Sequence, residues 1–256
     1  MFNKNINKSI DSYLNSDYSK FKKYERINFL INEISRNIDP KKNYELLDIG
    51  CSKGELIYIL KDKFSNINFT GLEYSNELLK IAKNEPFLKD VSFINGDARN
   101  FDIKKKFDAI ESIGVIHHLQ NPKKAIENLF KCLKKDGTLI IWAYAKEGNE
   151  NYIRLLNFLR FFTKRLPLRI VRIVAKIFSI FLWIFLKIVA GNNYLKMIKK
   201  FSLKHLEAII FDQLFPSIAN YWTKEEMVEL IRPLHIKSYE LNHTNNYSWT
   251  LICKKE

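Results

Sequence analysis

The sequence reads as an α/β fold with a doubly wound parallel sheet, and three observations point there. Between Tyr44 and Tyr144, short apolar runs alternate with stretches of helical spacing, the crossover pattern that parallel strands require. The runs end at glycines, acids or histidines, at Gly50 to Gly54, Glu73, Asp97 and Ser112 to His118. Carboxyl ends of strands in such a sheet share one crevice, so these residues converge on a single candidate site. A basic, apolar stretch over 151–216 then breaks the alternation and reads as an α-helical insertion.

Taken in order, residues 1–39 show apolar side chains at three- and four-residue steps and are expected to form amino-terminal helices that act as a lid. Asp39-Pro40 ends them. Tyr44 to Ile49 is a short, mainly apolar run of the kind buried in a parallel sheet. Gly50 and Gly54 mark the turn after it, and Glu55 to Leu60 resumes at helical spacing, so that a helix amino terminus offers free amide donors there. Asn68 to Glu73 is a second strand ending in an acid, followed by a helix from Asn76 to Asn84 that stops before Pro86. Val91 to Ile94 and Phe107 to Ile113 are the third and fourth strands, with Asn121-Pro122 opening a helix over Lys123 to Leu133. Lys135-Asp136-Gly137 is the turn before a fifth strand, Thr138 to Tyr144. Thr223 reads as an N-cap with Glu226 completing a capping box, ahead of a helix from Glu225 to Ile231. Strands near Ile236 to Leu241 and Tyr247 to Cys253 close the chain.

Composition narrows the function classes. Cys51, Cys132 and Cys253 are far apart and form no CxxC pair, which suggests neither a disulfide framework nor a zinc site and fits a cytoplasmic setting. Met1 to Ile10 is polar and asparagine-rich, unlike a secretory signal. The net charge is +14, but twelve Lys or Arg against Glu207 and Asp212 place +10 of it in 151–216. Basicity there is interleaved with aliphatic residues, which disfavours nucleic acid as the partner. Glu73 follows Gly54 by 19 residues, the interval at which an acid reaches ribose hydroxyls, and a nicotinamide dinucleotide would fit that as well.

With these motifs in order, residues 40–145 resemble the class I S-adenosylmethionine-dependent methyltransferases. Leu47 to Gly54 is similar to that family's first motif, an acid followed by Gly-x-Gly-x-Gly; Glu73 matches its ribose-binding acid and Gly96-Asp97-Ala98 its adenine-contacting turn. Phe107-Asp108 through His117-His118-Leu119 looks like the segment around the fourth strand, and Lys134 to Leu139 like the turn before the fifth. Ser52 and Asp136 stand where the family has glycine. The resemblance implies a mostly parallel, seven-stranded Rossmann-like sheet, with 40–150 and 217–256 forming the cofactor domain. It implies that the backbone from Gly50 through Cys51 to Gly54 cradles the methionine part, with Asp48 steering its ammonium or the turn. Glu73 would accept both ribose hydroxyls, and Asp97 with Ala98 would read the adenine edge; Tyr74 and Ser112 complete the set. A dehydrogenase would favour an intact Gly-x-Gly-x-x-Gly, which is absent.

Methyl transfer from a sulfonium is mainly a positioning problem. If the acceptor is a hydroxyl, His117 stands where a general base is useful, or it braces the loop. His118, Tyr144, His205, Asp212, Tyr221 and Trp222 are candidates for the acceptor wall, each also a candidate for a structural role. Along 166–190 and the residue before it, Arg165, Arg169, Arg172, Lys176, Ser179, Trp183 and Lys187 recur as a polar stripe on one helical face. Burying three cations disfavours a membrane span, leaving a lid or homodimer helix or a helix lying on a membrane surface. The expectation is methyl transfer to a small or lipid-linked acceptor in glycan or cell-envelope metabolism, by a cytoplasmic protein peripheral on the inner membrane face, without a metal. An RNA methyltransferase and a non-catalytic cofactor-binding adaptor at the membrane surface are the alternatives.

Overall fold

The computed structural model describes residues 31–32, 34–36, 42–188, 199, 201–214, 218–244 and 246–256. Seven strands, β1 (Tyr44–Ile49), β2 (Ile67–Glu73), β3 (Ser92–Asn95), β4 (Phe107–Ile113), β5 (Leu133–Tyr144), β6 (Ile236–Thr244) and β7 (Ser248–Lys255), form one sheet in the order β3-β2-β1-β4-β5-β7-β6. The first five are parallel, and β7 enters antiparallel between β5 and β6. The strand order reverses between β1 and β4, which opens the crevice at their carboxyl ends.

Alternation along each strand sends neighbouring side chains to opposite faces, and both faces are dry. Leu47, Ile49, Ile110, Leu139 and Leu251 face one core, covered by α3 (Pro122–Cys132) and α7 (Lys224–Ile231). Leu46, Ile140 and Ile252 face the other, covered by α1 (Glu55–Lys63) and α2 (Asn76–Asn84). Most of the expected lid over 1–39 lies outside the described residues; Ile31 and Ile34, in a helical stretch, are buried in this second core. Side-chain caps start the helices where the sequence places them: Ser75 accepts from Leu78 N–H, Asn121 from Lys124 N–H, and Thr223 and Glu226 close the capping box.

Most element ends fall within one to three residues of the sequence reading, and two features depart from it further. β5 begins at Leu133, because the Lys135-Asp136-Gly137 turn is absorbed as an irregularity in its pairing with β4. The insertion holds a helix with no counterpart in that reading, α4 (Glu150–Thr163), ahead of α5 (Leu168–Ile188) and α6 (Leu203–Leu214). α4 has only Leu156 and Thr163 buried, so it lacks the strong periodic signal of a core helix.

The orientation of α5 also departs from expectation. Ser179, assigned to a polar stripe, is fully buried, and its hydroxyl donates to the Lys176 carbonyl at 2.7 Å. The packed seam runs through Val171, Ala175, Ser179 and Leu186 against Leu206, Phe211 and Leu214 of α6. Small residues at 175 and 179 permit close approach of a single partner helix, so the broad apolar face stays outside: Ile173, Phe181 and Ile188 are 58%, 67% and 80% exposed. Among the described residues no helix is long and apolar enough to cross a membrane. Removing the Thr223 hydroxyl by Thr223→Ala should cost about 1 kcal/mol of stability, measured by denaturant unfolding, because it strips the cap from α7.

Candidate functional site

The crevice is built from the turn after β1 outward. Gly50 and Cys51 donate from their backbone N–H groups to the Leu72 carbonyl at 2.7 and 3.1 Å, so β2 holds the turn against the sheet. Gly50, Ser52 and Gly54 all adopt positive φ, at 70°, 54° and 84°. Ser52 thus takes the left-handed conformation of the glycine it replaces, at the cost such a backbone carries for a residue with a Cβ. Asp136 does the same at φ 57°. A Cβ on Gly54 would lie 2.6 Å from Leu88 Cδ1, so that position closes on glycine for space as well as for φ.

Glu73, at the end of β2, receives Ser52 N–H on Oε2 at 3.0 Å and Ser75 N–H on Oε1 at 2.8 Å. Burial raises its pKa above the usual carboxylate range, and these backbone donors offset only part of that rise. The carboxylate therefore joins two loops and keeps spare lone pairs for a diol. Tyr74 follows at the rim, 47% exposed. Asp97, past β3, accepts from the Arg99 backbone at 2.9 Å and from Arg99 Nε at 2.9 and 3.1 Å, which holds its pKa below the usual carboxylate range. Asp97, Arg99, Asn100, Gln120, Asn121 and Lys124 line a cleft of about 470 Å³, room for a heterocycle, while Ala98 turns into the core. Asp48 and Cys51 are buried at the base of the turn, and burial drives the Cys51 thiol pKa up, leaving it a neutral packing group. Ser112 is fully buried and its hydroxyl has no partner among the described residues.

Across the crevice an aromatic wall stands on β5. Tyr144 packs against His117 at 4.0 Å between ring centroids and stacks on Tyr221 at 5.4 Å. His117 is buried, and its carbonyl accepts from Asn220 N–H at 2.8 Å. His118 Nδ1 lies 3.0 Å from the Ile218 carbonyl, and burial lowers its pKa, so it is neutral near pH 7. Trp222 stands apart: it is buried in the main core and bridges Ala145 through backbone. His205 and Asp212 fall on α6, but their side chains lie outside the described residues.

Three participants were missed in the sequence. Arg160 of α4 donates from Nε to the Gln213 carbonyl at 2.7 Å, and Gln213 Nε2 donates to the Tyr144 hydroxyl at 2.8 Å. Tyr221 adds its hydroxyl to Gln213 Oε1 at 3.4 Å. The insertion is thereby tied to the aromatic wall, a link between helices far apart in sequence that no local pattern announces. Glu111 is the third, buried on β4. An acid inside the apolar run Phe107 to Ile113 was the available signal for it.

The residues at the strand ends fit a nucleoside with a zwitterionic tail: a glycine turn that allows close approach to backbone, an acid for a diol, a cleft beside Asp97 and a buried acid under the turn. Comparison with known proteins agrees. A family model described as a methyltransferase domain matches residues 40–174. The malonyl-[acyl-carrier protein] O-methyltransferase of Bacillus anthracis is 25% identical over 118 residues, 46% of this chain and 44% of its own length. The demethylmenaquinone methyltransferase of Thermotoga maritima is 32% identical over 110 residues, 43% and 46% of the two chains. The alignments thus span less than half the length of these curated relatives. Among solved structures, an S-adenosylmethionine-dependent methyltransferase of Thermotoga maritima, titled a possible histamine N-methyltransferase, aligns with TM-score 0.55 at 15% identity over 96% of this chain and 98% of that one. Magnesium protoporphyrin IX methyltransferase from Synechocystis, solved with bound SAH, gives TM-score 0.55 at 11% identity over 91% and 83%. These two likenesses are of fold. With more than half of its length matched by the family model, the chain belongs to the methyltransferase-domain family and carries its class I, S-adenosylmethionine-type fold.

Proposed function

We propose that the protein transfers a methyl group from S-adenosylmethionine to a small or lipid-linked acceptor, in glycan or cell-envelope metabolism, drawn from an anionic membrane surface. When bound, the cofactor supplies an electrophilic methyl on a sulfonium. The chain's residues then have to orient it and exclude water. The turn from Gly50 to Gly54, its glycines free of side chains, lets the methionyl part approach the backbone closely, Glu73 accepts from the ribose hydroxyls, and Asp97 faces the adenine cleft. His117, His118, Tyr144 and Tyr221 form a compact aromatic wall for the acceptor, and a buried imidazole there accepts a proton if the acceptor is a hydroxyl.

The observation that carries the membrane half is that one insertion does two things. Through Arg160 and Gln213 it builds the acceptor wall, and on its outer side it leaves apolar side chains in the open. On α5, Ile170, Ile173, Ile177, Ile180, Ile184 and Ile188 repeat at steps of three and four and are all exposed. Phe158 and Phe162 of α4 are exposed likewise, while Thr163 on the same helix packs to the Leu214 carbonyl of α6. At 100° per residue, Arg169, Lys176 and Lys187 flank the isoleucine row on one side, and Lys187 Nζ sits 3.4 Å over the Trp183 ring. Lys164 and Arg165 cover Phe161 at the turn between the helices. An apolar ridge about 30 Å long, flanked by cations whose stems lie along it, complements an anionic bilayer surface on which the helix lies flat.

Glu73→Ala should weaken cofactor binding by at least about tenfold in titration calorimetry, since it removes the diol acceptor and releases the turn at Ser52. Labelled methyl transfer from S-adenosylmethionine into a fractionated extract of the native cell should place label in lipid or small molecules; label confined to RNA, or none, overturns the acceptor reading. Vesicles containing phosphatidylglycerol should pull the protein down at low salt and neutral phosphatidylcholine vesicles should not, while Ile177→Asp with Phe181→Asp should abolish sedimentation. A protein that ignores both vesicles and instead dimerises through α5 would assign the ridge to a second copy.

A further inference from the structure

Asp48 and Glu111 face each other across the switch point. They are register partners on parallel β1 and β4, two residues on from the partners Leu46 and Ala109, so both carboxyls lie on the sheet face covered by α1. Asp48 is 3% exposed and Glu111 1%. Asp48 Oδ2 and both oxygens of Glu111 have no hydrogen-bond partner among the described residues. Two ionised carboxylates so placed, dry and unpartnered, would repel each other with little water to compensate.

Their surroundings add to the acidity of the site. Glu55 stands at the start of α1 and Glu73 at the end of β2, and both bear on Asp48. Lys53, buried in the turn, lies 3.7 Å from Glu55 and eases that acid. Cys51 beside them stays a neutral thiol. Burial first, then Glu55 and Glu73, pushes the Asp48 pKa from 3.8 to about 8. Burial and Asp48 push Glu111 well above its ordinary range. The pair therefore holds protons at neutral pH, close to Glu55 and Glu73 and at the base of the turn assigned above to the methionyl end.

We infer that Asp48 and Glu111 work as one proton-holding pair, and that seating a cationic amine above them drives one proton from the pair into solvent, so that cofactor binding releases a proton. Glu111 is a positioning residue in this scheme: it faces Asp48 across the two strands, so that the two carboxyls ionise one at a time and not together. The balance is simple. A carboxyl O–H bond breaks, the proton leaves to buffer, and the electron pair stays on the carboxylate that now opposes the ammonium. The inference rests on the cofactor reading above. A neighbouring positive charge favours the ionised acid, and linkage makes that preference appear both as proton release and as tighter binding towards higher pH.

The sign for stability is opposite. Below the unfolded pKa both folded and unfolded chains hold the Asp48 proton; between 3.8 and about 8 only the folded chain does. Raising pH through that window therefore removes stability from the cofactor-free protein. Thermal melts should show this fall from about pH 5 to 8, and a shallower fall in Glu111→Gln, whose amide can donate to an ionised Asp48.

The deciding experiment is calorimetric titration of the full chain with S-adenosylhomocysteine at about pH 7, once in phosphate and once in Tris, buffers of different ionisation enthalpy. The expected result is a buffer-dependent heat equivalent to release of a large part of about one proton, falling towards zero in Glu111→Gln and in Asp48→Asn. Identical heats in the two buffers for the native chain overturn the inference while leaving the cofactor reading intact, and so does an unchanged release in a folded Glu111→Gln. Absence of any binding by the native chain overturns both.

Discussion

The carboxylate of Glu73 is the joint on which the site depends. It ends β2, accepts Ser52 N–H from one loop and Ser75 N–H from the next, and leaves lone pairs facing the crevice. The same strand supplies the Leu72 carbonyl that anchors Gly50 and Cys51. Parallel pairing of β1 with β2 puts these groups in reach, and the pairing in turn needs both sheet faces covered by helices. A turn this tightly tethered tolerates serine at a left-handed position, because hydrogen bonds from the N–H groups of Gly50, Cys51, Ser52 and Gly54 over-determine its path.

Carboxyl groups are concentrated under that turn, and Asp48 and Glu111 among them hold buried oxygens with no partner among the described residues. Asp48, Glu55, Glu73 and Glu111 gather where chain ends of β1, β2 and β4 meet α1, with Lys53 as the buried cation placed among them. For folding alone such a cluster is a burden, since burying carboxyls unpartnered costs several kcal/mol unless they stay protonated. A ligand with a cationic end turns the burden into affinity. Functional sites commonly break the rules that stabilise the rest of a domain in this manner.

The insertion shows a second division of labour. α6 offers α5 a narrow seam, and small residues Ala175 and Ser179 fill it, so many of the aliphatic side chains of α5 stay exposed. Exposed apolar surface on this scale marks a partner rather than a fold requirement. The link from Arg160 through Gln213 to Tyr144 ties α4 and α6 of the insertion to the aromatic wall.

Much of this was legible in the sequence, because it is local. Apolar alternation set the strands, Thr223 and Glu226 set a capping box within one turn, and strand ends carried Gly50, Glu73 and Asp97 to one edge once the parallel pattern was recognised. The basic character of 151–216 was likewise a matter of counting. Tertiary structure alone decided the rest. Asp48 meets Glu111 only because β4 lies beside β1, a neighbour relation that no single-strand pattern contains. Ser179 is buried and the isoleucine ridge exposed because α6 approaches α5 from one side, and helical periodicity is equally consistent with either side. Trp222 enters the core, and Arg160 reaches Gln213, through contacts between residues distant along the chain. Periodicity says which residues share a face, and only packing says what that face meets.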